Sequence, residues 1–340
     1  MSAYPLSVAF LWHMHQPYYK DPFNGINVLP WVRLHGTKDY LDMVKELEAF
    51  PAIRQTINVV PSLLEQLIAY TENRAKDRFW EMTIINPSDM TDEQKRFLLE
   101  NFFLANWDNM IKPFPRYYEL LTKRGLRCTQ NDIIRVAKYF SDDDFRDLQV
   151  LFNLCWIDPM FRSSDPLLAE LTAKGKNFTE NDKQLIMEAQ MNILRDIIPT
   201  YKRLAASGQI ELSVTPFYHP ILPLLWDTDI ARVAMPFVRL PHERFNHPED
   251  AVTQIRMGID YFERIFGFRP YGMWPSEGAV SEEVIRAIAK EGIQWIATDE
   301  EILARSLGRA LRTPEGFLTD AGSLYHPYQY ENIAIFFRDH

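Results

Sequence analysis

The sequence predicts an α/β fold built on a parallel sheet, and three observations carry that prediction. Short apolar runs with strand character recur along the chain. Amphipathic helical patterns lie between most of them, and alternating strand and helix imply a parallel sheet with right-handed crossovers. The polar residues of chemical interest fall where the runs stop, at the strand carboxyl ends where loops of parallel α/β folds converge.

In chain order the strand candidates are SVAFLWH (7–13), TINVVP (56–61), IELSVTP (210–216), YGMWPS (271–276), QWIATD (294–299) and NIAIFF (332–337). The first run, Val8 to Trp12, reads as a strand buried on both faces that halts at His13 and His15, followed by Gln16 and the helix-breaking Pro17. Side chains two apart on a strand share a face, so the two imidazoles are expected to point the same way. Residues 75 to 205 hold no convincing strand and read as helices, among them DEQKRFLLENFFLANW and ENDKQLIMEAQMNILRDIIPTYKRLAA, forming a helical insertion between the second and third strands. The segment SEEVIRAIAKEGI (281–293) opens on a Ser cap with carboxylates in its first turn, and it sets Val284, Ile285, Ile288 and Ala289 on one stripe.

A chain of 340 residues is long enough for two domains or for one α/β barrel. Apolar residues make up 46% and charged residues 24%, the balance of an ordinary globular protein. The 37 basic against 46 acidic residues leave a formal charge of -9, which argues against a nucleic-acid or anionic-membrane partner. Aromatic residues reach 13%, with eight Trp; stacking on sugar rings is one use for them and core packing another. Cys128 and Cys155 lack the spacing of a zinc ribbon or disulfide framework and read as buried thiols. The apolar run before His13 is too short for a signal peptide or membrane span, so the chain reads as soluble and cytoplasmic.

Four segments gather the chemistry: HMHQP (13–17), GQIELSVTPFYHPILPLL (208–225), GMWPSEGAVSEE (272–283) and IATDEE (296–301). MWPSEG is the sharpest, with a Trp and a Glu at a strand mouth, Pro275 ending the ladder and Gly278 relieving the turn. A carboxylate fixed beside an aromatic ring suits a sugar-cleaving site, because the ring seats the pyranose and the carboxylate meets positive charge at the anomeric carbon. Read alone, Glu277 equally fits an acidic residue stabilised by a helix N-terminus.

Taken in order, HMHQP, GQIEL and MWPSEG, together with the long helical spans and FNLCWIDPMFR (152–162), resemble glycoside hydrolase family 57 over nearly the whole chain. The likeness is to the α-amylase and amylopullulanase branch more than to the branching enzymes. It implies an incomplete parallel (β/α)7-type barrel and cleavage or transfer of α-glucosidic bonds with retention, without a nucleotide or metal cofactor. It also implies that Glu277 is the nucleophile and that His15 contacts the sugar at the cleavage point, with His13 on the same strand face. Glu211 and His219 match a region that binds substrate, and Trp274 would shape the subsite. The implied substrate is an α-glucan or maltooligosaccharide.

Retention requires a second carboxyl about 5 to 5.5 Å from the first. In the family it is an Asp on a later strand, and no such region is found here; Asp299 and Asp339 are left with other site roles or as loop caps. The final residues IAIFFRDH (333–340) read as the penultimate strand of the barrel, so the last strand and the acid/base are expected beyond His340. On that reading the isolated chain has an open sheet edge, binds α-glucans weakly and turns them over negligibly.

Within the family a 4-α-glucanotransferase fits the same motifs. A metal-dependent carbohydrate deacetylase or mannosidase would also use paired histidines at a strand end, but it wants an Asp nearby, whereas Met14 intervenes here and Asp21 lies beyond Pro17. A carbohydrate-binding protein without turnover is a third reading.

Overall fold

The computed structural model describes residues 7–339. The chain divides into two compact units, one made of residues up to 18, 52–65 and from 205 onward, the other of 19–51 and 66–204. The first unit contains a seven-stranded sheet with strands β1 (Leu11–Met14), β2 (Gln55–Val59), β3 (Ile210–Val214), β4 (Gly272–Met273), β5 (Trp295–Asp299), β6 (Tyr328–Tyr330) and β7 (Ile333–Arg338). Their order is β1-β2-β3-β4-β5-β7-β6, and every neighbouring pair is parallel except β6 with β7.

All six strands expected from the apolar runs are present, and the parallel α/β architecture holds. The seventh, β6, was not anticipated. It is three residues long, too short to show a period, and it turns back on β7 through Glu331, whose φ is 51°. The sheet edge that the sequence reading left open beside β7 is therefore covered by β6. A second correction concerns the first strand. Val8, Phe10 and Trp12 are 70%, 65% and 44% exposed, because β1 is the edge strand at the other side of the sheet and only Met14 at its end is buried.

Helices in the first unit pack against this sheet. The segment Glu282–Lys290 forms as expected: Ser281 caps it by accepting from Val284 N, and Val284, Ile285 and Ile288 are buried. The long helix Pro248–Phe266 buries Ala251, Ile255, Ile259 and Phe262 on one face.

Among its described residues the second unit is helical, and it takes in 19–51 as well as most of the 75–205 span. Its core answers the question of the aromatic surplus: the rings of Phe79, Phe102 and Phe152 lie 4.5 to 5.7 Å apart. Arg33 and Asp77 are fully buried and share two hydrogen bonds of 2.7 and 3.1 Å, while Arg33 Nη1 also donates to Asn153 and Gln190. Such a pair is tolerated because each donor finds an acceptor. Cys155 is buried in this unit, whereas Cys128 is only half-buried, a departure from the expectation of two buried thiols. No helix among the described residues is long and apolar enough to cross a membrane.

Within the same unit, burial and the neighbouring carboxylates Asp158 and Asp39 push the Asp42 carboxyl up to about 6. A carboxyl whose pKa is higher folded than unfolded favours the protonated form in the fold. Its contribution to stability therefore declines as pH rises from about 4 to about 6, and the cost persists above that. Asp42→Asn keeps the oxygen that accepts from Met43 N and removes the charge. It should raise the thermal midpoint more at pH 7.5 than at pH 4.0; an equal change at both values would contradict this assignment.

Candidate active site

The register of the first three strands sets one wall of the site. His13 lies opposite Asn58 and Asn58 opposite Ser213, so three polar side chains sit on one face of neighbouring strands. Asn58 is fully buried and directs its amide group to Ser213 Oγ at 3.0 Å, which leaves its oxygen to accept from His13 Nδ1 at 2.7 Å. The hydrogen bond assigns His13 the Nδ1–H tautomer and leaves Nε2 as an acceptor.

His219 arrives from the loop after β3. Its backbone N–H donates to Pro216 O at 3.0 Å, closing a turn in which His219 takes a φ of 56°. The loop is held by the helix Pro248–Phe266: Phe217 N and Tyr218 N donate to the Gln254 backbone and side-chain oxygens at 3.0 and 2.9 Å. Helix and loop approach this closely because position 258 is glycine; a Cβ there would stand 2.5 Å from Thr215 O.

Glu277 lies in the short turn Ser276–Gly278 that follows β4. Glu277 and Gly278 both have left-handed backbone, with φ of 57° and 67°. Thr298 Oγ1 on β5 donates to Gly278 O at 2.5 Å and ties the turn down. Left-handed conformation costs a residue with a Cβ about 1 to 3 kcal/mol and persists only where the surroundings enforce it. Five non-glycine residues among those described have positive φ, and two of them, His219 and Glu277, face each other with Nε2 and Oε1 3.6 Å apart.

These elements bring five of the predicted residues together. The His219 ring centroid lies 4.4 Å from His15 and 4.9 Å from His13, and the Trp274 ring is 6.4 Å from His13. His219 is 9% exposed, His15 half-buried and His13 exposed, and the Glu277 side chain is 70% exposed, so the cluster is buried at His219 and open towards His13 and the carboxylate. Loss of hydration lowers the pKa of all three histidines; at His15 repulsion from His13 adds to this, and at His219 repulsion from His15 and His13 adds to it and brings the value down to about 3. They are neutral at pH 7; His15 and His219 each have one ring N–H to donate and one ring nitrogen to accept, whereas His13, whose N–H goes to Asn58, offers Nε2 as an acceptor. A hydroxyl group has the matching pair of roles.

Glu211 is not brought to this cluster. It is the second residue of β3, near the amino end of the strand and about 10 Å of strand rise before its carboxyl end. It is exposed there and accepts from Trp295 Nε1 at 2.8 Å. Asp299 ends β5, caps the helix Glu300–Leu307 by accepting from Glu301 N, and pairs with Arg338 at 2.9 Å. Asp339 accepts from Tyr325 O–H at 2.9 Å and pairs with Arg312. Sequence reasoning missed Asn58, and the signal was available: it is the one strongly polar residue inside the apolar run INVV.

Fold and site together define an α/β protein with imidazoles and a carboxylate at the carboxyl ends of parallel strands. The chain belongs to Glycosyl hydrolase family 57, whose pattern it matches over residues 9–340. Alpha-amylase 1 of Dictyoglomus thermophilum is 30% identical over 99 residues, covering 29% of this chain and 11% of that protein. Among solved structures, the alpha-amylase AmyC of Thermotoga maritima aligns with 98% of this chain and 46% of its own at 14% identity and a TM-score of 0.49. The GH57-type branching enzyme of Pyrococcus horikoshii aligns with 97% and 46% at 16% identity and a TM-score of 0.47. This chain thus spans less than half the length of each of these proteins.

Replacing Asn58 tests the wall of the site. Asn58→Ala leaves His13 Nδ1 and Ser213 Oγ without their partner, and an unpaired buried polar group costs about 1 to 3 kcal/mol. The variant should lose the defined His13 tautomer in nitrogen-15 imidazole spectra; an unchanged Nδ1–H signature would contradict the hydrogen-bond chain.

Proposed function

We propose that this chain carries the reacting centre of a retaining enzyme that acts on α-glucans, with Glu277 as its nucleophile. The observation that carries the reading is the Glu277 carboxylate, exposed on one side and 3.6 Å from the buried His219 on the other, beside two further imidazoles and an indole. Membership of the family and the matched stretch of an alpha-amylase support the substrate class.

In the first step a Glu277 oxygen bonds to the anomeric carbon as the bond from that carbon to the leaving oxygen breaks, and the second carboxyl that retention requires gives its proton to the leaving oxygen. Water or a second sugar hydroxyl, losing its proton to that same group, then displaces Glu277, giving hydrolysis or transfer respectively. The α-amylase and 4-α-glucanotransferase readings share the first step and differ only in the second. His13, His15 and His219 bind hydroxyls of the sugar at the cleavage point, and the Trp274 indole supports the ring face. Asp299 and Asp339 serve the fold, since both carboxylates are engaged by a helix cap or a tyrosine and by arginine pairs.

In a full-length version of the protein assayed on maltooligosaccharides, Glu277→Gln should lower kcat by several orders of magnitude and leave the Kd for the oligosaccharide within about threefold, because the amide keeps the shape and loses the nucleophile. Retention of more than about a tenth of kcat, equivalent to about 1.4 kcal/mol, would exclude Glu277 from the role.

A further inference from the structure

The histidine cluster has a donor geometry that sugar binding alone does not require. One ring nitrogen from each of His13, His15 and His219 can be chosen so that all three lie within 4.8 Å of one another. Three nitrogens around a tetrahedral Zn²⁺ at about 2.0 to 2.1 Å stand roughly 3.4 Å apart, so closure needs ring movements of about 1 Å. Two further features match a metal site. Both nitrogens of His219 are buried and lack a hydrogen-bond partner, which is costly for a polar group unless something binds it. His13 donates its Nδ1–H to the buried Asn58 oxygen, the arrangement by which ligating histidines are oriented with Nε2 presented.

We propose that His13, His15 and His219 form a binding site for a single first-row transition-metal ion, best matched by Zn²⁺. Three imidazoles suit a borderline ion of this kind and not Mg²⁺ or Ca²⁺, which take oxygen ligands. The fourth position faces Glu277, whose Oε1 is already 3.6 Å from His219 Nε2, close to the spacing of ligands in one tetrahedron. The ion acts against turnover. It occupies the nitrogens that would bind sugar hydroxyls and holds the carboxylate that would attack, a consequence that rests on the function proposed above.

The test begins with the metal alone. Calorimetric titration of the whole chain with ZnCl₂ should show one ion per chain, weakened at least 100-fold in both His15→Ala and His219→Ala. Circular dichroism of each variant checks that it folds; if His219→Ala unfolds, His15→Ala and His219→Gln carry the comparison. Co²⁺ substitution should give a tetrahedral visible spectrum without a thiolate charge-transfer band, which separates this site from Cys128. No stoichiometric binding, or equal binding in folded variants, overturns the proposal. A second arm measures maltooligosaccharide affinity at saturating Zn²⁺, where at least a tenfold loss is expected. Unchanged sugar affinity with the ion bound to these histidines would uphold the metal site and contradict the sugar contacts assigned to them.

Discussion

The hydrogen-bond chain from His13 through Asn58 to Ser213 is the interaction on which the site depends. It exists because parallel pairing sets these three residues side by side on β1, β2 and β3. A slip of one residue in either pairing would turn a member of the chain to the other face of the sheet. Strand register, a property of the whole sheet, is thereby converted into the tautomer of one imidazole. The His219 and Glu277 loops then converge on that fixed point, each from the carboxyl end of its own strand.

The convergence carries local cost. His219 and Glu277 both hold left-handed backbone, and contacts that hold their turns are visible: helix contacts at Phe217 and Tyr218 for one, the Thr298 hydroxyl on Gly278 O for the other. Desolvating three imidazoles costs further free energy, offset in part because all three are uncharged at neutral pH. Strain and unsatisfied polar groups gathered at one place mark a surface prepared for a ligand.

Much of this was legible in the sequence, and the limits have physical causes. The six parallel strands were readable because each is an apolar run that ends in a polar residue or proline. The pairing of His13 with His15 on one face followed from the two-residue period alone. Glu211 was misplaced because a motif gives order along the chain and not height along a strand; GQIEL begins β3, whereas His219 follows its end. The exposure of Val8, Phe10 and Trp12 was not readable, since an apolar run looks the same in the middle of a sheet and at its edge. Asn58 went unnoticed because its importance lies in its neighbours on adjacent strands, which only the register discloses.

The central claim is that the Glu277 carboxylate attacks an anomeric carbon. It is tested most directly with 5-fluoro-α-D-glucosyl fluoride, in which fluoride leaves without the help of an acid, so the outcome reports on the nucleophile alone. Peptide mass spectrometry after incubation should find the fluoroglucosyl group esterified to Glu277, and Glu277→Gln should abolish the label. A label on any other carboxylate, or turnover of the fluoride with inverted product and no label, would contradict the account.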